Sequence, residues 1–214
     1  MIELSVITSY YNRPEALEKF LNQPFFKWET TNPVEFIIEK WDGKEIFSTS
    51  ICHNRAVRKA KGKWILKQDI DCTCSFIQYL RILEELKDKP YTFFMNIGCE
   101  NYLCDLGFPQ GNLYVCSKQA YQEVGGEPEW SGYGWEDYVI LYKLAKLADP
   151  KLKLNYNETN VTKIIRDQIA RKLNKEFKHF SFYHWPHPYD NLSYTALTEE
   201  NRKKCYLICK ELDK

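Results

Sequence analysis

Asp69 and Asp71 form a D-x-D pair directly after the apolar run 63–67. Because side chains alternate along an extended chain, both carboxylates point to the same side. Carboxylate oxygens are the ligands that hard divalent cations prefer, and such an ion neutralises phosphates and assists a departing diphosphate. Many ordinary loops also contain D-x-D. The position of this pair after a strand, where α/β sheets bind ligands, favours the metal-site interpretation.

The segment 125–137, G-G-E-P-E-W-S-G-Y-G-W-E-D, is rich in glycine and aromatic residues. Its glycines let the backbone approach a ligand closely, and Tyr133 and Trp135 offer flat faces of the kind that stack on sugar rings. Glu136 and Asp137 begin a predicted helix, where acids also favour the helix dipole without any catalytic role. The same dipole keeps an acid ionised and able to accept a proton.

Two of the four histidines, His184 and His187, lie three residues apart in the segment H-W-P-H-P. A lone histidine is more often structural, but two in a proline-rich loop are candidate ligands for a metal held by Asp71. The chain also has eight cysteines and no C-x-x-C pair. We therefore expect reduced, buried thiols rather than a structural zinc site.

Strands must position these side chains, and predicted strands alternate with predicted helices over the first 120 residues. The apolar patterns predict strands at 2–8, 34–38, 63–67, 91–95 and 113–116 and helices from residue 15 and over 50–60, 75–86, 136–148 and 198–212. The segment 151–178 is ambiguous, and we expect a strand and a basic helix around 163–175 there. This alternation predicts an α/β fold, a single Rossmann-like domain with a mixed, mostly parallel central sheet flanked by helices.

Composition excludes several classes of protein. With 30 Lys+Arg against 29 Asp+Glu, the chain has no basic excess for nucleic-acid binding, so we expect no nucleic-acid partner. It has no apolar run long enough to span a membrane and no secretory signal. We expect a cytoplasmic protein, with peripheral membrane association and the oligomeric state left open. We expect one domain over 1–214, with a nucleotide-binding half at 1–120 and an acceptor-binding half at 121–214.

The motifs and their order along the chain resemble those of nucleotide-sugar glycosyltransferases with the GT-A fold, above all inverting family 2 enzymes and β-1,4-galactosyltransferase catalytic domains. The likeness spans nearly the whole chain. It rests on the first strand and loop at 6–13, H-N-R-A at 53–56, D-I-D at 69–71, G-N-L-Y-V-C-S-K-Q at 111–119, G-Y-G-W-E-D at 132–137 and H-W-P-H-P at 184–188. Each motif alone is weak evidence, and their common order makes the resemblance specific.

The resemblance implies a function and a role for each matching residue. A metal-dependent inverting transferase would move a sugar from a UDP-sugar to the hydroxyl of a glycan acceptor, as in polysaccharide biosynthesis. Asp137 would be the general base, with Glu136 orienting hydroxyls. The implied Mn²⁺ (or Mg²⁺) ligands are Asp71 and His184, with His187 as the alternative, and the implied donor-binding residues are Tyr10, Arg13, Glu39, Arg55, Asp69, Gly111, Tyr133 and Trp135.

The sequence departs from the family pattern at the donor site. Tyr133 and Trp135 stand where the galactosyltransferases have Trp and Gly, so the donor sugar does not follow from the resemblance. Glu39 with Asp42 stands where family 2 enzymes usually have two aspartates. Three other functions remain: a retaining transferase, a nucleotidyltransferase, which ordinarily needs a glycine-rich phosphate loop that 9–13 lacks, and a non-catalytic carbohydrate-binding module on the same fold.

Overall fold

The computed structural model of the chain contains a five-stranded sheet with the strand order β2-β1-β3-β6-β5. The structure describes residues 1–27, 33–42, 46–103, 109–132, 134–170, 180–184 and 195–214. The strands are β1 (Leu4–Tyr10), β2 (Val34–Lys40), β3 (Trp64–Lys67), β5 (Phe94–Leu103) and β6 (Pro109–Ser117). β2 and β3 run parallel to β1, and β6 runs antiparallel to both β3 and β5. Four of the five strands therefore point the same way.

A second, two-stranded sheet joins β4 (Cys72–Thr73) to β7 (Tyr183–His184) in antiparallel register. The helices are α1 (Pro14–Leu21), α2 (Thr49–Lys59), α3 (Phe76–Leu86), α4 (Lys118–Glu123), α5 (Glu136–Ala148), α6 (Val161–Ile165) and α7 (Thr195–Leu212). A 3₁₀ turn at Pro24–Lys27 follows α1, and a π-helical turn at Arg166–Ala170 continues α6. No helix in the described part of the chain is long and apolar enough to cross a membrane.

Both faces of the large sheet are buried, because alternate side chains of each central strand enter two separate apolar clusters. Leu66 and Val115 enter the cluster that also contains Tyr79 of α3. Ile65 and Cys116 point the opposite way, into the cluster that contains α2, α5 and α7. A strand that is buried on both sides is expected to be largely apolar, as residues 64–66 of β3 and 113–116 of β6 are.

The predicted fold class is confirmed, and most predicted elements lie within a few residues of the observed ones. β5 begins at Phe94, three residues later than predicted, and continues to Leu103. The strand expected in 151–178 has no counterpart among residues 151–160, which contain only turns and irregular chain. The basic helix begins at Val161, and the rest of that segment, 171–179, lies outside the described residues.

The three parallel strands β2, β1 and β3 end at one edge of the sheet, and the candidate acids lie there. β3 leads directly into Asp69 and Asp71, and β1 leads into the turn that contains Arg13. An isolated parallel bridge between Ser48 and Gly132 connects the chain before α2 to the loop before α5. This bridge brings the start of α5, with Glu136 and Asp137, close to the start of α2.

Candidate active site

The D-x-D pair forms the one cluster of at least three acidic, thiol or imidazole ligand groups found among the described residues. Ligand atoms of Asp69, Asp71 and Cys72 all lie within 4.8 Å of one another. Asp71 is buried, with 3% of its surface exposed, and Asp69 is partly exposed. The pair thus presents carboxylate oxygens at the end of β3, where the sequence predicts a cation site.

Each acid of the pair also contacts a basic side chain. Lys67 Nζ lies 2.7 Å from Asp69 Oδ1, and Arg13 Nη1 lies 2.8 Å from Asp71 Oδ2. Burial alone would lower the pKa of Lys67, but the charges of Asp69, Asp137 and Glu127 outweigh it and raise that pKa above its usual value. The ammonium of Lys67 is therefore a permanent positive charge inside the site.

His184 follows Tyr183 in β7, and its Cα is paired with that of Cys72, the residue after Asp71. The small β4–β7 sheet thereby brings the backbone of the predicted histidine ligand next to the predicted carboxylate ligand, from 112 positions further along the chain. The alternative ligand, His187, lies outside the described residues. Neither ligand assignment is tested by this geometry, and both remain predictions.

Glu136 and Asp137 lie in the first turn of α5 and are both buried, with 4% and 6% of their surfaces exposed. Thr49 Oγ1 donates a 2.7 Å hydrogen bond to Glu136 Oε1, and Glu136 Oε2 has no hydrogen-bond partner within the described structure. Trp135 precedes them in the left-handed region at φ 72°. Such strained backbone in a non-glycine residue is concentrated at functional sites.

The burial of this acidic pair changes its titration. Burial, followed by the charge of Glu127, raises the pKa of Glu136 to about 7. Burial and then the charge of Glu136 raise the pKa of Asp137 to about 7, although Lys67 opposes this shift. Both carboxyls therefore titrate near neutral pH, which is the range in which a general base works best. The helix dipole, which we expected to dominate, is outweighed by burial.

Beneath the acids lies a buried polar network that the sequence analysis did not single out. Glu127 accepts hydrogen bonds from Tyr114 Oη at 2.5 Å and from His53 Nδ1 at 2.9 Å. Burial tends to raise the pKa of Glu127, but His53, Lys67 and Tyr114 outweigh it, so the net shift is downward. Glu127 is therefore ionised. A glutamate inside a G-G-E-P turn next to aromatic residues was the only sequence signal for it.

The residues predicted to bind the nucleotide lie around the ends of β1 and β2. Arg55 Nη1 contacts Asp42 Oδ1 at 3.0 Å, and its guanidinium lies 5.8 Å from the centre of the Trp41 ring. Tyr10 ends β1. Glu39 is buried and forms a 2.5 Å ion pair with Lys59, so this predicted pocket residue already has a basic partner.

For two other predicted donor residues the structure gives less. Gly111 lies within β6, and Tyr133 lies outside the described residues. A partly exposed aromatic pair next to the predicted pocket was not anticipated: the exposed Tyr11 and the half-buried Phe47 stack with ring centres 5.3 Å apart. Flat rings of this kind offer a surface for a planar base or a sugar.

No protein-family model matches the chain. No curated protein matches it either. Its structure is similar to that of a β-1,4-galactosyltransferase 7 mutant from Drosophila, solved with manganese, UDP-Gal and xylobiose. The TM-score is 0.55 at 14% identity, over 88% of this chain and 73% of the other.

A mannosyltransferase from Pyrobaculum calidifontis, solved with GDP-Man and Mn²⁺, is similar with a TM-score of 0.52 at 16% identity. The match covers 68% of this chain and 52% of the mannosyltransferase, so the chain spans about half of that protein's length. These similarities show that the chain has the fold of GT-A glycosyltransferases, as its motifs predict.

Proposed function

We propose that the chain is a metal-dependent inverting glycosyltransferase that moves a sugar from a UDP-sugar to a hydroxyl of a glycan acceptor. One observation carries this proposal: a carboxylate cluster at the end of β3 and a buried acidic pair at the start of α5 are electrostatically linked through Lys67. The cluster suits a metal-bound diphosphate, and the pair suits proton removal from an acceptor. Two proteins with the same fold were solved with Mn²⁺ and a nucleotide sugar, which supports the reading.

The residues at the end of β3 fit a hard divalent cation. Asp71 supplies buried carboxylate oxygen, Asp69 lies within reach of the same point, and β7 brings the backbone of His184 beside them. Oxygen ligands with one imidazole suit Mn²⁺, and Mg²⁺ is the alternative. We propose that Asp71 with His184, or with His187, holds the ion, while Asp69 orients the donor. When bound, the cation supplies charge neutralisation for the diphosphate.

The nucleotide is assigned to the ends of β1 and β2. We propose that the guanidinium of Arg13, which forms an ion pair with Asp71, contacts phosphate, and that the Arg55–Asp42 pair beside Trp41 offers donors, acceptors and a ring face for uracil. Tyr10 would line the same pocket. Glu39, which forms an ion pair with Lys59, would line it as well. Gly111, Tyr133 and Trp135 are proposed to contact the donor sugar.

Asp137 is the proposed general base and Glu136 the residue that orients hydroxyl groups. Asp137 removes the proton of the acceptor hydroxyl as its oxygen forms a bond to the anomeric carbon. The bond from that carbon to the diphosphate breaks, its electron pair leaves with UDP, and the configuration inverts. The unpartnered Glu136 Oε2 can accept a hydrogen bond from a sugar hydroxyl. General-base assistance of this kind contributes roughly 10²–10⁴ to a rate.

The arrangement supports one domain over 1–214 in two halves. All strands of the large sheet lie in 1–120, the proposed nucleotide half, whereas Glu136 and Asp137 belong to the proposed acceptor half, 121–214. Seven described cysteines are free thiols, which supports the proposal of a reducing, cytoplasmic location. Polysaccharide synthesis is the proposed setting.

Calorimetric titration of UDP with and without Mn²⁺ tests the function. We expect Mn²⁺ to strengthen UDP binding about tenfold or more, because an ion held by Asp71 would neutralise charge on the diphosphate. Asp71→Ala should remove this metal effect, whereas Asp149→Ala, a matched change of an exposed acid at the far end of α5, should keep it. UDP binding that is absent, or equally strong with and without the metal, contradicts the proposal. A screen of UDP-sugars for slow hydrolysis then identifies the donor.

A further inference from the structure

Helix α2 holds two buried acids from different parts of the chain on one face. Thr49 donates to Glu136, and His53 donates to Glu127. Because Thr49 and His53 are four residues apart in a helix, their Cβ atoms lie about 5–6 Å from each other. The two carboxylates that these side chains hold are therefore separated by roughly one helical turn.

Glu127 is also the point at which the loop before α5 is anchored. Asn54 Nδ2 donates to the backbone oxygen of Glu127 at 2.9 Å, and the backbone N–H of Glu127 donates to Asn54 Oδ1 at 3.2 Å. Tyr114, which donates to the Glu127 carboxylate, is the cross-strand partner of Lys67 in the β3–β6 register. Cross-strand partners project from the same face of a sheet, so the ammonium lies next to this carboxylate.

We propose that Glu127 is a positioning residue for the Glu136–Asp137 pair: it anchors the loop that leads into α5 and holds a buried negative charge close to the two acids. The inference rests on the proposed function only in giving this pair a catalytic purpose. The network itself consists of Glu127, its donors Tyr114 and His53, and the neighbouring cation Lys67. All four side chains are buried.

Other titratable groups from the packed elements face this network within the described residues. Their charges enter the balance together with those of Glu127 and Lys67. Asp69 faces Asp137 from the loop after β3, and Cys205 faces both acids of the pair from α7. The groups that face Glu127 from the remaining elements are His53, Tyr114, Cys116, Tyr121 and Lys143.

The direction of the effect follows from the charges. A fixed negative charge near two carboxyls opposes their ionisation, and Glu127 raises the pKa of both Glu136 and Asp137. Lys67 acts in the opposite sense on both. Since Glu127 remains ionised, its removal leaves the opposing charge of Lys67 in place. The pair should then ionise at a lower pH.

Carboxyl ¹³C NMR titration of the pair in Glu127→Gln tests this proposal. The neutral amide retains the shape of glutamate and still accepts from Tyr114 or His53. We expect the apparent midpoint of the pair to fall by about one pH unit. Glu127→Asp, which preserves the charge, should leave the midpoint near its original value. The measurement needs no donor or acceptor, so its outcome is independent of the proposed reaction.

Asp213→Asn is the matched control. Asp213 is a carboxylate that accepts from Tyr142 at 2.6 Å and Tyr156 at 2.5 Å, much as Glu127 accepts from its donors, but it lies beside the other end of α5. This variant should leave the pair's midpoint unchanged. If a donor is found, the acidic limb of the kcat profile should move with Glu127→Gln and stay in place with Asp213→Asn.

A second variant covers the case in which Glu127→Gln does not fold. Replacing both partners, as in Glu127→Met with His53→Leu, removes this buried hydrogen-bonded pair without leaving the ring N–H of His53 unpaired. This double variant should show the same downward shift. An unchanged midpoint in a folded Glu127→Gln or double variant would overturn the proposal, as would an equal shift in Asp213→Asn.

Discussion

At the scale of single residues, the site contains two sets of acids that differ in the charge of their neighbours. Asp69 and Asp71 each lie within 3 Å of a basic group, whereas Glu136 and Asp137 share their environment with a third acid, Glu127. The first two acids are thus each paired with a positive charge. Burial and neighbouring charge raise the pKa of each of the second two to about 7, so these acids titrate near neutral pH. This division of roles comes from burial and neighbours rather than from residue type.

Replacing Asp137 with Asn should separate its proposed chemical role from its effect on stability. We expect transfer or donor hydrolysis to fall by roughly 10²–10⁴, because the general base is lost, while UDP affinity measured by calorimetry stays close to that of the unchanged chain. The side chain hardly changes in size. A variant with full turnover would refute the assignment of Asp137 as the base.

The same variant should be more stable than the unchanged chain above neutral pH. Burial raises the folded-state pKa of Asp137 to about 7 from 3.8, so the unfolded chain loses its proton first as the pH rises. The stability of the unchanged chain therefore falls between about pH 4 and pH 7. Asn cannot ionise, so Asp137→Asn should gain about 4 kcal/mol at pH 8 and almost nothing at pH 4.

Urea unfolding at pH 4, 6 and 8 measures this gain. Asp149→Asn, the exposed acid at the other end of α5, serves as the control and should show no comparable trend with pH. A gain of equal size at all three values would mean that local packing, and not ionisation, sets the difference. A loss of stability at pH 8 would show that Asp137 is stabilised as an ion.

At the scale of elements, helix α2 organises the site. Ser48 caps it, accepting from Ile51 N at 3.4 Å, and the same hydroxyl donates to Trp130 O at 2.8 Å. Thr49, His53 and Asn54 then hold the acids and the loop before α5. The sequence predicts this helix well, since N-R-A and the apolar period mark it. Its contacts with residues more than 70 positions away do not follow from any local pattern.

The small β4–β7 sheet shows where sequence patterns fail. Two strands of two residues are too short for alternation to be recognised, and Cys72 and His184 are paired only through the whole fold. The strand expected in 151–160 is absent for a different reason. Polar and apolar residues alternate there, but within the described structure the segment has no neighbouring sheet edge to pair with. Periodicity predicts elements that are long and buried on a defined face, and these are the elements that were predicted correctly.

Gly126→Ala should destabilise the loop that carries Glu127. Gly126 has φ +67°, and a Cβ there would lie 2.6 Å from Asn54 Oδ1 and 2.9 Å from Tyr121 Cε1. We expect a cost of about 2–3 kcal/mol from strain and overpacking. We also expect weakened anchoring of Glu127, because Asn54 has to move. Urea unfolding gives the first quantity, and amide exchange at Glu127 reports the second.

The neighbouring Gly125 provides a matched comparison. It has φ +75°, but a Cβ there would meet nothing within 4 Å. Gly125→Ala therefore isolates backbone strain and should cost about 1 kcal/mol. If both variants lose the same stability, the contact with Asn54 is not what requires glycine at position 126.

At the scale of the whole molecule, the near balance of 30 basic and 29 acidic residues conceals a strongly uneven distribution. Four acids, at 69, 127, 136 and 137, converge around Lys67 at the edge of the sheet, and a fifth, Asp71, lies next to Asp69. The order of motifs along the chain was sufficient to predict the fold and four of these acids. It could not indicate Lys67 and Glu127, because a lysine in a strand and a glutamate in a turn are ordinary until the fold brings them together.

This convergence leads to a prediction about the stability of the folded chain. Mn²⁺ and UDP added together should raise the melting temperature by more than the sum of their separate effects. The reason is that the cation and the diphosphate would offset each other's charge beside Asp71. At about one hundred times its dissociation constant, a ligand that binds only the folded state adds about 2.7 kcal/mol. For a chain of this size, that corresponds to a rise of about 5–10 °C. Asp71→Ala should reduce the joint effect to the sum of the separate ones, and Asp149→Ala should preserve it. Strictly additive shifts in the unchanged chain would mean that metal and nucleotide bind at independent places.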